Sequence, residues 1–212
     1  MDNKNIIEIK NLSKEVNGIT ILNNINVNFS RGKIYGIIGR NGSGKSMLFK
    51  SICGLVNPTQ GEISVFGENI NGGNFPKDTG IIIEHPGFLP QYSAFKNLKI
   101  LASINNKINA ENIKHAISLV GLDPANTIPV KKYSLGMKQR LGIAQALMEE
   151  PKLLILDEPM NGLDADGVTL IRKILLDLKE KSVTILLASH NSDDINELCD
   201  FVYKMDNGIL TH

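Results

Sequence analysis

The chemistry in this chain is concentrated in a few short runs. Gly39-Arg40-Asn41-Gly42-Ser43-Gly44-Lys45-Ser46 fits the pattern GxxxxGK[ST] at every position. Glycines at those spacings let backbone N–H groups converge on phosphate oxygens with no Cβ in the way. The helix that follows would add its unpaired amides and its positive end. Lys45 has the reach for β- and γ-phosphates, and the Ser46 hydroxyl suits a Mg²⁺ ion. Met47 is the next residue and completes the phosphate-binding stretch. An accidental glycine-rich turn is the competing reading. The apolar run IYGII before the motif and the helical run MLFKSICGL after it favour the phosphate loop. By itself the loop does not say which nucleoside triphosphatase this is.

A second run, Lys152-Leu153-Leu154-Ile155-Leu156-Asp157-Glu158-Pro159, is an apolar strand ending in two acids. In a parallel sheet, strand C-termini line the ligand crevice. Asp157 is therefore placed to join a magnesium shell. Strand alternation would point Glu158 to the other side, where it could polarise an attacking water. General-base help of that kind is worth roughly 10²–10⁴ in rate. A solvated acidic turn is the plain alternative, and the phosphate loop upstream weakens it.

These residues need a scaffold. Ile25, Val27 and Phe29 alternate with Asn24, Asn26 and Asn28, the period of a half-buried strand. Residues 33–38 and 61–66 read as further strands, punctuated by Gly32, Gly61 and Gly67. Residues 79–84 form a nearly continuous apolar run, as in a strand covered on both faces. The middle changes period. Residues 94–105 and 110–120 have helical spacing, with Ile113, Ile117 and Val120 on one face and Gly121 and Pro124 as stops. Ser134 suits the cap of a third helix running to Glu150, ended by Pro151. Strands at 152–156, 183–188 and 201–204 then alternate with helices at 166–180 and 192–199, which predicts a parallel sheet with crossover helices. The expected fold is α/β: a nucleotide-type core with a mostly parallel sheet, an antiparallel β portion near the N-terminus and a helical insertion. All 212 residues form one domain, with 1–86 and 151–212 as core and 87–150 as the helical part.

Composition narrows the classes. Apolar residues at 42% and charged residues at 21% argue against a disordered or fibrous chain. No apolar run approaches the ~18–20 residues of a membrane span, and MDNKNIIEIK lacks a signal peptide's order of charges and apolar residues. A net charge of +1 shows no basic excess, so no nucleic-acid partner is expected. Cys53 and Cys199 have no metal or disulfide spacing and read as inert core thiols in a cytoplasmic protein.

Taken together, the motifs make the chain resemble the ATP-binding subunit of an ABC transporter over essentially its whole length. The phosphate loop comes first. Tyr133-Ser134-Leu135-Gly136-Met137-Lys138-Gln139-Arg140 sits where that family has its LSGGQ signature. Asp157-Glu158 follows, then Asn161-Gly162-Leu163-Asp164 at the D-loop position, then Ala188-Ser189-His190 at the H-loop position. A lone strand-end histidine is more often structural, and YSLGMKQR alone reads as an ordinary capped helix; five motifs in the family's order are the argument. The resemblance implies the ABC ATPase fold, ATP with Mg²⁺ as cofactors, and head-to-tail pairing with a second nucleotide-binding subunit, as a homodimer or a heterodimer. It also implies an integral membrane partner and a peripheral place on the inner face of the membrane. By the same resemblance, Lys45, Glu158 and His190 are catalytic, His190 contacting the γ-phosphate. Ser134, Leu135, Gly136, Met137 and Asp164 act in trans on the partner's nucleotide. A helix start at Ser134 would present its hydroxyl, the Gly136 amide and the helix dipole to an anion.

Three positions depart from the family pattern. The stretch Leu12–Asn17 offers Val16 where an aromatic side chain usually stacks on adenine, which predicts weak discrimination against GTP. Glu84 stands at the Q-loop position, where a glutamate still ligates magnesium through oxygen. His85 beside it reads as a plain loop histidine before it reads as a ligand. Leu135 and Met137 replace glycine and glutamine in the signature. Glu84 together with YSLGMKQR resembles the branch of bacitracin, lantibiotic and related antimicrobial-peptide exporters. A soluble, non-transport ABC-type switch in translation, assembly or repair is the alternative, and a regulator without turnover is disfavoured by the presence of both Glu158 and His190.

Overall fold

Two twelve-residue strands, β1 (Asn5–Val16) and β2 (Ile19–Ser30), open the chain as an antiparallel hairpin. Its two-residue turn is Asn17-Gly18, with φ of 51° and 79°, the left-handed pair that a tight hairpin needs. The chain then forms β3 (Ile34–Ile38), α1 (Lys45–Ile52), β4 (Gln60–Val65) and β5 (Glu68–Asn69). It continues with β6 (Thr79–Ile82), α2 (Ala94–Asn105), α3 (Ala110–Leu119), α4 (Leu135–Leu147) and β7 (Leu153–Asp157). The closing elements are α5 (Ala165–Glu180), β8 (Thr184–Ala188), α6 (Ser192–Leu198), β9 (Phe201–Asp206) and β10 (Ile209–Thr211). This computed structural model describes residues 5–70, 73–84 and 86–212. His85 lies outside the described residues.

Two sheets result. One is antiparallel, in the order β2-β1-β4-β5. The other, β10-β9-β3-β8-β7-β6, is parallel from β9 to β6, with β10 folded back on β9. The parallel strands are apolar without interruption because both faces are covered. Leu154 and Leu156 of β7 face a core shared with α2, α3, α4 and α5, while Leu153 and Ile155 face a second core with α1 and the antiparallel sheet. Burying each such side chain contributes roughly 1.5–3 kcal/mol. Gly80 in β6 permits α4 to lie close; a Cβ there would sit 2.1 Å from the Ala146 carbonyl oxygen.

Several boundaries differ from the sequence reading. The strand expected over 79–84 stops at Ile82, and Glu84 turns the chain with φ of 64°. The helix expected to reach Glu150 stops at Leu147. Pro151 disfavours α geometry in the residue before it, and Glu150 adopts φ of 52°. The stretch around Val16, to which the sequence reading assigned no element, ends the first long strand. Between core and helices the chain is tied by Asn97, which is buried. Its side chain accepts from Leu89 N–H at 2.7 Å and donates to the carbonyls of Leu89, Tyr92 and Ser93.

Candidate functional site

β3 delivers the chain into the loop 39–44, and α1 leaves it. Gly44 caps α1 with φ of 114° and offers no side chain to its first turn, so those amides face outward without a protein partner from the cap. Gly39 is held by contact as much as by conformation. A Cβ there would lie 2.3 Å from the Met205 carbonyl oxygen and 2.7 Å from Ser43 Oγ. The turn between β9 and β10 braces the loop: Gly208 N–H donates to Ser43 O at 3.0 Å, and Asn23 N–H donates to Gly208 O at 2.9 Å.

Beneath the loop lies a cleft of about 540 Å³. Asn41, Gly42, Gly44, Lys45, Ser46 and Met47 line one wall, and Glu84, Asp157 and Glu158 line another. Lys45 Nζ donates to Gly39 O at 2.8 Å and Arg40 O at 3.2 Å, so its charge is folded into the loop. Ser46 Oγ donates to Asp157 Oδ2 at 2.5 Å across the gap between α1 and β7. Asp157 is buried at the strand end. Glu84 reaches Lys50 Nζ on α1 at 2.5 Å.

Glu158 follows a different rule from the one strand alternation predicts. The strand has ended, and Glu158 takes φ of 52°. Its N–H still donates to Ala188 O at 2.9 Å, which keeps it beside the end of β8. Its Oε2 lies 2.8 Å from His190 Nδ1. Glu158 therefore lines the cleft and pairs with a histidine 32 residues away.

Other expected residues lie elsewhere. Val16 pairs with Ile19 at the hairpin tip and does not line the cleft; Ile21 of the same hairpin does. Gly39 and Arg40 border a separate hollow with Lys204, Met205, Asp206 and Asn207. Ser134 caps α4, accepting from Met137 N–H at 3.1 Å, and Leu135 is exposed beside it. The α4 start packs on the 161–164 turn: a Cβ on Gly136 would meet Gly162 O at 2.8 Å. Asp164 caps α5 through Gly167 N–H at 3.1 Å and pairs with Arg140 at 2.8 Å. The Gly167 amide first, and Arg140 with it, hold the Asp164 carboxyl below the usual range. None of Ser134, Leu135, Gly136, Met137 or Asp164 lines this chain's own cleft.

Sequence reasoning left out Ile21, Gln139 and Asn161 from the cleft. Gln139 is buried and donates through Nε2 to Pro159 O at 3.0 Å, tying α4 to the turn that carries Glu158. A glutamine among the buried residues of an otherwise apolar helix face was the available signal.

The donor set suits a triphosphate and a hard cation. Ser43 Oγ is buried without a hydrogen-bond partner among the described residues, inside the loop itself. Ser46 and Asp157 present oxygen only, as Mg²⁺ requires, and among the described residues no cluster of three or more His, Cys, Asp or Glu forms a metal cage. That fits an ion held by one or two side chains together with substrate phosphates.

Fold and site together define a P-loop nucleoside triphosphatase of the ATP-binding-cassette type. A family model described as ABC transporter matches residues 22–161. An ABC transporter ATP-binding protein of Bacillus subtilis is 47% identical over 206 residues, covering 97% of this chain and 94% of the other. The bacitracin transport ATP-binding protein of Enterococcus faecalis is 42% identical over 208 residues, covering 97% and 68%. The lantibiotic transport ATP-binding protein of Streptococcus pyogenes is 42% identical over 197 residues, covering 93% and 85%. Among solved structures, an ATP-binding subunit of an ABC transporter superposes with a TM-score of 0.89 at 28% identity, covering 98% and 88%. A dimeric ATP-binding cassette bound to ADP and Pi superposes at 0.87 and 22% identity, covering 97% of each chain. The chain belongs to the ABC transporter family, as an ATP-binding and ATP-hydrolysing subunit.

Proposed function

We propose that this chain works in the cytoplasm as one of a pair of ATP-binding subunits under a separate membrane-spanning partner, and that the pair drives export of an antimicrobial peptide or drug. One observation carries the reading. Lys45, Ser46, Asp157 and Glu158 line one cleft, and α4 reaches it only with Gln139, while Ser134, Leu135, Gly136 and Met137 at the helix start do not line it, Gly136 packing on Gly162 instead. A cleft with a phosphate loop on one side and no second anion-binding helix start of its own is half a site. A second subunit, packed head to tail, would supply Ser134, Leu135, Gly136, Met137 and Asp164 to complete it. The relatives named for bacitracin and lantibiotic transport support the cargo class and disfavour the non-transport switch.

The steps follow from the side chains. ATP displaces the Lys45 ammonium from Gly39 O and Arg40 O, and the freed charge moves onto the terminal phosphates. Ser46 and Asp157, with Glu84 as a further oxygen donor, would hold Mg²⁺, which when bound neutralises phosphate charge. Glu158 takes the proton of a water whose oxygen bonds to the γ-phosphorus as the bond to the β–γ bridging oxygen breaks and ADP leaves, and His190, already on the Glu158 carboxylate, fixes the orientation and contacts the γ-phosphate. The subunits then separate. Glu84 and the segment 86–98 link the cleft to the helical part over 87–150, and this link carries the change to the membrane partner. Closure drives transport only through its different affinity for the two states.

Glu158→Gln tests the assignment. ATP binding persists, turnover collapses and a closed dimer accumulates on size-exclusion chromatography with ATP. Unchanged turnover would remove Glu158 as the base. Affinity purification from membranes tests the partner: a multi-span protein co-purifies with this chain, and its absence contradicts the transport reading.

A further inference from the structure

His190 has little packing to set its ring. Its side chain is 68% exposed, and among the described residues the ring's polar contact is with Glu158 Oε2, which also accepts from the His190 N–H at 3.4 Å. The residues on either side are fixed instead. Ser189 is buried, its hydroxyl donates to Asp194 Oδ2 at 3.1 Å, and Ser189 Oγ in turn accepts from Asn191 N–H at 3.1 Å. Asp194 is 1% exposed. Its other oxygen takes the Arg172 fork, Nε at 2.9 Å and Nη2 at 2.7 Å, and Arg172 Nη1 pairs with Glu197.

A buried ion pair is a poor way to hold two helices together, since removing two charges from water offsets most of their attraction. Apolar packing already seats α6: Ile195 and Leu198 are buried, Leu198 in the core shared with α5. What the ion pair does that packing cannot is fix direction. Arg172 orients a carboxylate, the carboxylate orients one hydroxyl, and that hydroxyl pins the turn at the residues before and after His190.

We propose that Arg172, Asp194 and Ser189 are positioning residues for ATP hydrolysis, a buried brace that holds the turn 189–191 so that His190 meets the Glu158 carboxylate. The proposal rests on Glu158 and His190 acting as described under Proposed function. The brace does not touch the phosphate loop, so it governs the chemical step and leaves nucleotide binding alone.

The test is single-turnover ATP hydrolysis and nucleotide affinity for the full chain carrying Ser189→Ala, His190→Ala or both. Ser189→Ala removes one hydroxyl from a buried turn. The expected result is a fall in rate of about ten- to a hundredfold, the scale of an ångström-level misplacement, with nucleotide affinity unchanged. On a His190→Ala background, Ser189→Ala costs nothing further, because its effect runs through the histidine. Arg172→Lys, which keeps the charge and loses the fork, gives a smaller fall of the same kind and carries the test if Ser189→Ala does not fold by circular dichroism. A wild-type rate for both Ser189→Ala and Arg172→Lys overturns the proposal. So does an undiminished loss on the His190→Ala background, or a parallel loss of affinity. Glu158→Gln separates the two claims: if it still hydrolyses ATP, the assigned base is wrong; if it is dead while Ser189→Ala and Arg172→Lys are both normal, the brace alone is wrong.

Discussion

Two glycines seven residues apart respond in opposite directions to the same methyl group. In β6, a Cβ on Gly80 would lie 2.1 Å from Ala146 O, 2.7 Å from Leu154 Cδ2 and 3.0 Å from Ala146 C. Two of these atoms are backbone of the α4 segment, so no rotamer change relieves the overlap; the helix must move by about 1 Å relative to the sheet, at the ~1–3 kcal/mol typical of overpacking. Replacing glycine lowers unfolded-chain entropy and returns about 0.4–1 kcal/mol. Gly80→Ala should therefore destabilise by about 1–2 kcal/mol, which for a chain of this size lowers Tm by about 2–8 °C. A Cβ on Gly87 would meet nothing within 4 Å, and Gly87 has no left-handed φ, so only the entropy term remains. Gly87→Ala should raise Tm by about 1–4 °C. The assay is thermal unfolding by circular dichroism without nucleotide, because a bound ligand shifts Tm by itself. A Gly80→Ala variant as stable as wild type, or shifts of the same sign at both positions, would refute the close packing of β6 on α4.

Lys45→Ala should abolish tight ATP binding in a fluorescent-nucleotide titration, and retained affinity would contradict the phosphate-loop role. Neither Ile21 in the cleft nor Val16 at the hairpin tip carries a ring to stack on a base; the ratio of ATP to GTP affinity should stay below about 100-fold, near 2.8 kcal/mol, in competition measurements. Burial acts to raise the Asp200 carboxyl, but Lys179 at 2.6 Å and the Ile34 amide at 2.9 Å outweigh it and leave the pKa lowered. A lowered folded pKa gives stability that is present above the unfolded value of about 3.9 and lost as pH falls through the folded one. Asp200→Asn should accordingly lower Tm at pH 6 and flatten its decline towards pH 3, and parallel Tm curves would exclude the contribution. Ser134→Ala removes the hydroxyl that caps α4 and should cost about 1 kcal/mol in chemical unfolding, with no loss meaning that solvent replaces it.

What could be read in the sequence depended on whether a pattern stayed local. The two ends of α2 are legible because Ser93 caps it and Asn106 closes it in the left-handed conformation. Strands β7 and β8 are legible as apolar runs because both of their faces are buried. β1 escaped as a single strand because register shifts between Ile9 and Leu12, and again towards Glu15, break its period of two. β5 and β10 have two and three residues, too few for a period. At the site, the acids and the loop announce themselves by type. Gln139 does not, because its partners are the backbone carbonyls of Glu158 and Pro159, which any residue would supply. The contact between Glu158 and His190 depends on sheet register, Asp157 opposite Ala188, which no spacing along the chain encodes.

The position of β3 has a consequence for how the protein is made. Its two neighbours in the sheet are β8 and β9, and the loop it feeds is braced by Gly208. On a ribosome adding about 5–20 residues per second, the strand and its loop wait roughly ten seconds or more for partners about 150 residues downstream. Through that interval IYGII is an apolar strand without its sheet neighbours, while β1, β2, β4 and β5 can already pair among themselves. Nucleotide can gain a rigid loop only after β8, β9 and the turn at Gly208 have been synthesised and docked. ATP binding to the emerging chain is thus a late event, and a labelled nucleotide would report completion of the central sheet during synthesis.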